Sequence, residues 1–228
     1  MPPSPEPVRK LDQNFLSMSC PQILAQTVWD DEVTSESLAE FLKDAPTKPR
    51  HIGLAAGYTS AGRLTALAVA LGPNVRLVRF RNNRESETLS PGRQALADEL
   101  FCNPNNLFYA FDMGPIALSL YYDQRLRLTG AIDIQSGCTG EENATRDVSQ
   151  AVSFAVSSTK SPNISSTNID AAFKEQPWDE KKSPRILPLR AWLAGFVPSV
   201  SDMELRFAEV PRINTFDMAT EVCSAKSS

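Results

Sequence analysis

The side chains best placed for chemistry are a set of arginines and two aspartates. Arg76, Arg79, Arg81 and Arg84 fall within nine residues with Phe80 among them, and Arg125 and Arg127 follow later. Guanidinium groups with an interleaved aromatic suit the phosphates and bases of a nucleic acid, each phosphate contact adding to a salt-dependent affinity. Strand alternation sends Arg79 and Arg81 to one side and Arg76 to the other, so solubilising charges on an edge strand and its following loop are an equally good reading. Asp112 stands just before Met113-Gly114-Pro115, where a helix N-cap or turn residue is expected, and Asp133 ends a later apolar run, where a hydrogen-bonded strand-end carboxylate is expected. The single histidine, His51, has no nucleophile or acid beside it in sequence and reads as a surface or edge residue. Cys20, Cys102, Cys138 and Cys223 lie far apart with no C-x-x-C pair, which gives neither a zinc site nor a disulfide framework its usual spacing. Reduced structural thiols are expected, and with them an intracellular protein, nuclear or cytoplasmic.

The elements that must hold these groups can be read from apolar spacing. Leu107–Phe111 suits a buried strand, Ile116, Ala117 and Leu120 share a helical face begun by Pro115, and Leu126–Ile132 returns as a second strand ending at Asp133. Strand, helix and strand in about thirty residues have the size of a βαβ unit. Upstream, Ile23–Trp29 reads as a strand, and Thr34–Lys43 reads as a capped helix with Leu38, Phe41 and Leu42 inward. Three short-turned apolar runs follow at His51–Tyr58, Arg63–Leu71 and Val75–Phe80, the pattern of an antiparallel meander. A helix over Arg93–Phe101 leads into the βαβ unit. Beyond it, helices are expected near 145–157 and 167–174, at Leu189–Phe196 and at Asp202–Ala208, with a mobile loop at Ser158–Ser166.

At 228 residues the chain is long enough for one full core, and 42% hydrophobic with 22% charged residues excludes wholesale disorder. Residues 1–20, proline-rich over the first ten, and 219–228 read as disordered tails around a single domain at 21–218. A net charge of −4 supplies no global attraction to polyphosphate, so any nucleic-acid surface has to be local. No run of eighteen apolar residues occurs, and no membrane partner is expected.

The spacing of Phe111, Asp112, Leu120, Leu126, Leu128, Gly130, Asp133 and Gln135 resembles the second block of the 3′–5′ exonuclease domain of the DnaQ-like, RNase H-like superfamily. Within that superfamily it is most similar to the group containing Egalitarian and exonuclease-domain-containing 1. The resemblance implies an α/β fold with a mixed five-stranded sheet, three antiparallel strands then parallel ones, flanked by helices. It also implies a centre of two divalent metals held by four acidic residues, because paired hard cations need several anionic oxygens to offset their repulsion.

Those four positions read as empty. Gly53–Thr59 falls where the family has G-L-D-x-E, which sets Ala55 at the Asp and Gly57 at the Glu. The second block sets Ile116 at its Asp, with Asp112 one helical turn earlier. Trp178 followed by Arg185-Ile186-Leu187-Pro188 resembles the third block, after which Ala194–Pro198 replaces the expected Tyr and Asp, with Pro198 at its end. No metal or other cofactor is expected. The leading expectation is an inactive pseudo-exonuclease domain acting as an RNA-associated or protein-binding adaptor, its partners being RNA or another single-stranded nucleic acid, a protein, or a second copy of itself. Two alternatives stand beside it. One is an active Mg²⁺- or Mn²⁺-dependent exonuclease with relocated acids, drawing on Asp112, Asp133 and Glu85 or Asp98. The other is a protein-interaction module without nucleic-acid affinity.

Overall fold

The computed structural model describes residues 7–43, 49–81, 88–138, 146–157, 163–174, 177–200 and 203–217. Among them are seven strands: β1 (Arg9–Leu11), β2 (Ile23–Trp29), β3 (Arg50–Tyr58), β4 (Leu64–Leu71), β5 (Asn74–Arg79), β6 (Asn106–Ala110) and β7 (Ala131–Asp133). They form one sheet in the order β1-β2-β5-β4-β3-β6-β7. The expected meander is the antiparallel centre β3-β4-β5, while β2 pairs with β5, β6 with β3 and β7 with β6 in parallel. The mixed α/β sheet is the one expected, with seven strands in place of five.

Eight α-helices cover it: α1 (Ser35–Lys43), α2 (Pro91–Ala95), α3 (Met113–Gln124), α4 (Ile134–Gly137), α5 (Val148–Val156), α6 (Ser166–Lys174), α7 (Ile186–Phe196) and α8 (Met203–Ala208). α1, α2 and α5 begin at a side-chain cap. Thr34 Oγ1 accepts from the Ser37 N–H ahead of α1, and Ser90 caps α2, which runs on as a π-helical turn over Leu96–Phe101. Asp147 and Gln150 form a capping box at α5. No helix among the described residues is long and apolar enough to cross a membrane.

Side-chain alternation along the central strands divides the core into two layers. Ile52, Leu54 and Ala56 of β3 join Leu67, Val69 and Leu71 of β4 on the face covered by α1, α2 and α3. Ala55 joins Ala66, Ala68 and Ala70 on the other face, where α7 lies. The small residues let α7 come close. At Gly53 the approach is closest, since a Cβ there would stand 2.0 Å from the Ala191 carbonyl oxygen and 2.3 Å from the Gly195 nitrogen. Only a glycine fits, and the contact fixes where α7 crosses β3.

Three expectations need correction. The segment assigned to an N-terminal tail is structured from residue 9, because β1 hydrogen-bonds along β2 and Phe15 is buried. Leu126 and Leu128 are buried without forming strand, since the backbone of Leu128 bonds to Thr215 and only Ala131–Asp133 reaches β6. Part of the expected mobile loop is pinned, Ile164 bridging Leu16 and Ser165 donating to the Phe15 carbonyl. Residues 158–162 and the C-terminal tail lie outside the described residues, as does Cys223. The other three cysteines are unpaired.

Candidate functional site

The C-terminal ends of β3 and β6 open onto a cavity of about 320 Å³. Parallel strands commonly offer a ligand crevice at this place. Three sequence-predicted positions, Ala55, Asp112 and Ile116, line it together with Phe173 and Arg190. Gly57 lies next along β3 but its side-chain space is filled: a Cβ would meet Leu187 Cδ1 at 2.7 Å and Trp178 Cε3 at 2.7 Å. The residue is anchored there by its main chain, the Trp178 backbone N–H donating to the Tyr58 carbonyl at 3.1 Å. A carboxylate at position 57 would have no room.

Pro198 stands apart. It is buried in a single 3₁₀ turn, Val197–Ser199, which lies near His51 toward the other end of β3. His51 and Ala55 are four strand residues apart, about 13 Å. The residue of this helical region that does reach the cavity is Arg190, two turns earlier on α7, and sequence spacing did not single it out. Its signal was a lone charge inside the apolar run Leu187–Phe196, since an arginine on a buried helix has to find partners. Nε donates to the Ala172 carbonyl at 2.7 Å, Nη2 donates to the same oxygen, and the guanidinium lies 5.2 Å from the Phe173 ring centroid. The side chain is 5% exposed.

Among the described residues, Asp112 is the single carboxylate on the cavity wall. It occupies the residue before α3 in the left-handed region, φ 66°, and makes no capping hydrogen bond. The cap comes from Asp133 instead, whose Oδ1 accepts from the Met113 N–H at 3.1 Å while Oδ2 accepts from the Ser136 N–H and hydroxyl at 3.0 Å. Burial pushes the Asp112 carboxyl above its ordinary range, the nearby Asp133 charge adds to this, and the Arg190 guanidinium opposes both. Asp98 is exposed on the π-helical turn and accepts from Gln94, away from the cavity, and Glu85 lies outside the described residues. Among the described residues no three acidic, histidine or cysteine side chains converge as a metal cage would require.

The described residues around the cavity therefore do not fit a two-metal centre. One carboxylate faces one guanidinium, a second carboxylate position is walled off by an indole, and a fixed cation already occupies the low-dielectric space.

The predicted arginines are dispersed. Arg76 donates to the Ser37 carbonyl at 3.0 Å and lies over Phe41, on the α1 face. Arg79 pairs with Glu180 at 3.3 Å and Arg81 with Asp31 at 3.0 Å, both stacked against Trp29 on the other side. The split expected from strand alternation is present. Arg127 packs over Phe216 and Tyr121, and Arg84 lies outside the described residues. Arg81 and Arg125 do meet, in a second cavity of about 420 Å³ that they share with Arg63 and Arg93.

Neither the sequence profiles of known families nor the curated proteins give a match. Solved structures do. Escherichia coli RNase D, an exoribonuclease involved in structured RNA processing, aligns over 81% of this chain with a TM-score of 0.50 and 12% identity, and the chain spans 45% of that protein's length. The Aedes aegypti Nibbler EXO domain aligns over 80% of the chain and 90% of its own length, at 12% identity and a TM-score of 0.49. The fold is that of the RNase H-like 3′–5′ exonucleases.

Proposed function

We propose that this chain is a catalytically inert exonuclease-like domain that associates with single-stranded RNA as an adaptor, of the kind its resemblance to the Egalitarian group implies. One observation carries the reading: the cavity at the ends of β3 and β6 is lined by Ala55, Ile116, the exposed carboxylate of Asp112 and the buried guanidinium of Arg190. Hydrolysis at such a site would need a Lewis acid and an activated water, and a lone carboxylate opposed by a guanidinium is too few anionic oxygens to hold paired ions. What they supply is a pocket with a fixed positive charge at the crevice where the fold places a strand end. RNA is the ligand class favoured by the likeness to RNase D, which acts in structured RNA processing.

The test has two parts on the same purified chain. Incubation of a 3′-labelled single-stranded oligoribonucleotide with Mg²⁺ or Mn²⁺ should leave the label in place, and a filter-binding titration should show retention that weakens steeply with salt. Chelator-sensitive release of 3′ nucleotides would refute inertness. Absence of salt-dependent retention would refute the RNA association.

A further inference from the structure

A third cavity, of about 340 Å³, lies at the opposite end of β3 from the blank cleft, where that strand begins. Met18, Pro21, Leu71, Trp192 and Phe196 form its apolar wall, and the first two residues of β3, Arg50 and His51, line it as well. Such a volume suits a small molecule, and an apolar wall with few polar groups is the usual make-up of a ligand site. The wall is held by contacts of its own. Gln13 Nε2 donates to the Met18 carbonyl at 3.0 Å, and the Leu24 N–H donates at 2.9 Å to the carbonyl of Pro73, which lines the cavity from the turn between β4 and β5. The Trp192 and Phe196 rings stack with centroids 5.3 Å apart.

Arg50 is the residue that points to a ligand. It is partly buried, and among the described residues it pairs with no carboxylate. Nη1 donates to Asn106 Oδ1 at 3.2 Å, whereas Nε is buried without a hydrogen-bond partner and Nη2 makes no hydrogen bond. A buried donor left unsatisfied is costly, and folded proteins keep few of them. Nε and Nη2 share one edge of the planar guanidinium, the edge on which a carboxylate can accept two parallel hydrogen bonds. The opposite side is fixed, because Asn106 is 1% exposed and its Nδ2 donates to the Leu100 carbonyl at 2.8 Å.

The charge around the cavity has one sign. No acidic side chain lines it among the described residues. Burial pushes the His51 imidazole below its ordinary range, against the pull of Glu204, which leaves Arg50 as the fixed charge on the wall.

We propose that this cavity binds a small aromatic carboxylate, its ring against the Trp192–Phe196 side and its carboxylate paired with the Nε–Nη2 edge of Arg50. Such a site is separate from the blank cleft and independent of the RNA-associated reading: either can fail while the other stands.

The experiment is calorimetric titration of the full chain with 2-naphthoate and, in parallel, with the uncharged 2-naphthalenemethanol. One saturable site per chain is expected for the carboxylate, with the alcohol bound about tenfold or more weakly. Arg50→Gln should lower the affinity for naphthoate about tenfold or more and leave that for the alcohol unchanged, a difference that a merely structural role for Arg50 would not produce. Phe196→Ala should weaken both probes alike. The carboxylate assignment is overturned if the two probes bind the parent equally, or if Arg50→Gln leaves naphthoate binding unchanged or weakens both probes together. The ring placement is overturned if Phe196→Ala binds both like the parent. Absence of saturable naphthoate binding by the parent chain overturns the site altogether.

Discussion

The two halves of β3 lie against the same helix, yet they are packed in different ways. In the first half, Gly53 meets Ala191 and Gly195 backbone to backbone, and the alanines of β4 keep the surface flat around them. In the second half, Ala55 and Gly57 leave space that side chains from elsewhere take over: Arg190 enters from α7, and Trp178 folds back from the loop before it. The first arrangement is what positions α7 in this fold. The second holds Ala55 and Gly57, the two positions at which the family resemblance sets metal ligands. The contrast teaches that the scaffold and the chemistry can be separated within one nine-residue strand.

Breaking the first half should have the largest effect. Gly53→Ala puts a methyl group into main-chain atoms that cannot move aside, and a loss of about 3 kcal/mol or more is expected in urea denaturation. A near-neutral result would mean that α7 does not cross β3 where the structure has it. Gly57→Glu returns a carboxylate to the second half. Its clash is with the side chains of Trp178 and Leu187, so a smaller cost of about 2 kcal/mol is expected, with no gain of metal-dependent nuclease activity.

Arg190→Leu probes the replacement cation. It leaves the Ala172 carbonyl without its donor, a cost of about 1–3 kcal/mol. It also removes the group that opposes the raised pKa of Asp112, so the loss should be greater at neutral pH than in acid. Asp112→Asn is expected to have the smallest effect and the opposite sign. A carboxyl whose pKa is raised by folding favours the native state while protonated, and that contribution is lost as pH rises through its folded value. The asparagine variant should thus be more stable than the parent at neutral pH, with the gain vanishing below the ordinary carboxylate range. Urea midpoints at the two pH values check both variants.

Much of this comparison was legible in the sequence. The three apolar runs of β3, β4 and β5 have strand length and short turns, and the alternation of alanine with larger residues through Leu64–Leu71 marks which face takes a helix closely. Ala55, Gly57 and Ile116 are set at ligand positions by the family resemblance, and of these the structure brings Ala55 and Ile116 to one cavity. Pro198 is not at that cavity, because it lies beyond the end of α7 in the turn Val197–Ser199. Arg190 was hidden for another reason: a charged residue is ordinarily read as exposed, and its partner carbonyl at Ala172 belongs to a different helix. The arginines of β5 looked like a patch because the sequence does not show that Glu180, a hundred residues on, lies against Arg79. Arg9–Leu11 becomes a strand only because β2 offers it an edge, a tertiary effect with no local signature.

The most direct test of the central claim is titration of the full chain with Mn²⁺, following the free ion by electron paramagnetic resonance. A site whose charge is already met by Arg190 and which lacks the other carboxylates should give no saturable binding. One or two tightly held ions per chain, lost on Asp112→Asn, would contradict the account and restore a metal centre to the cleft.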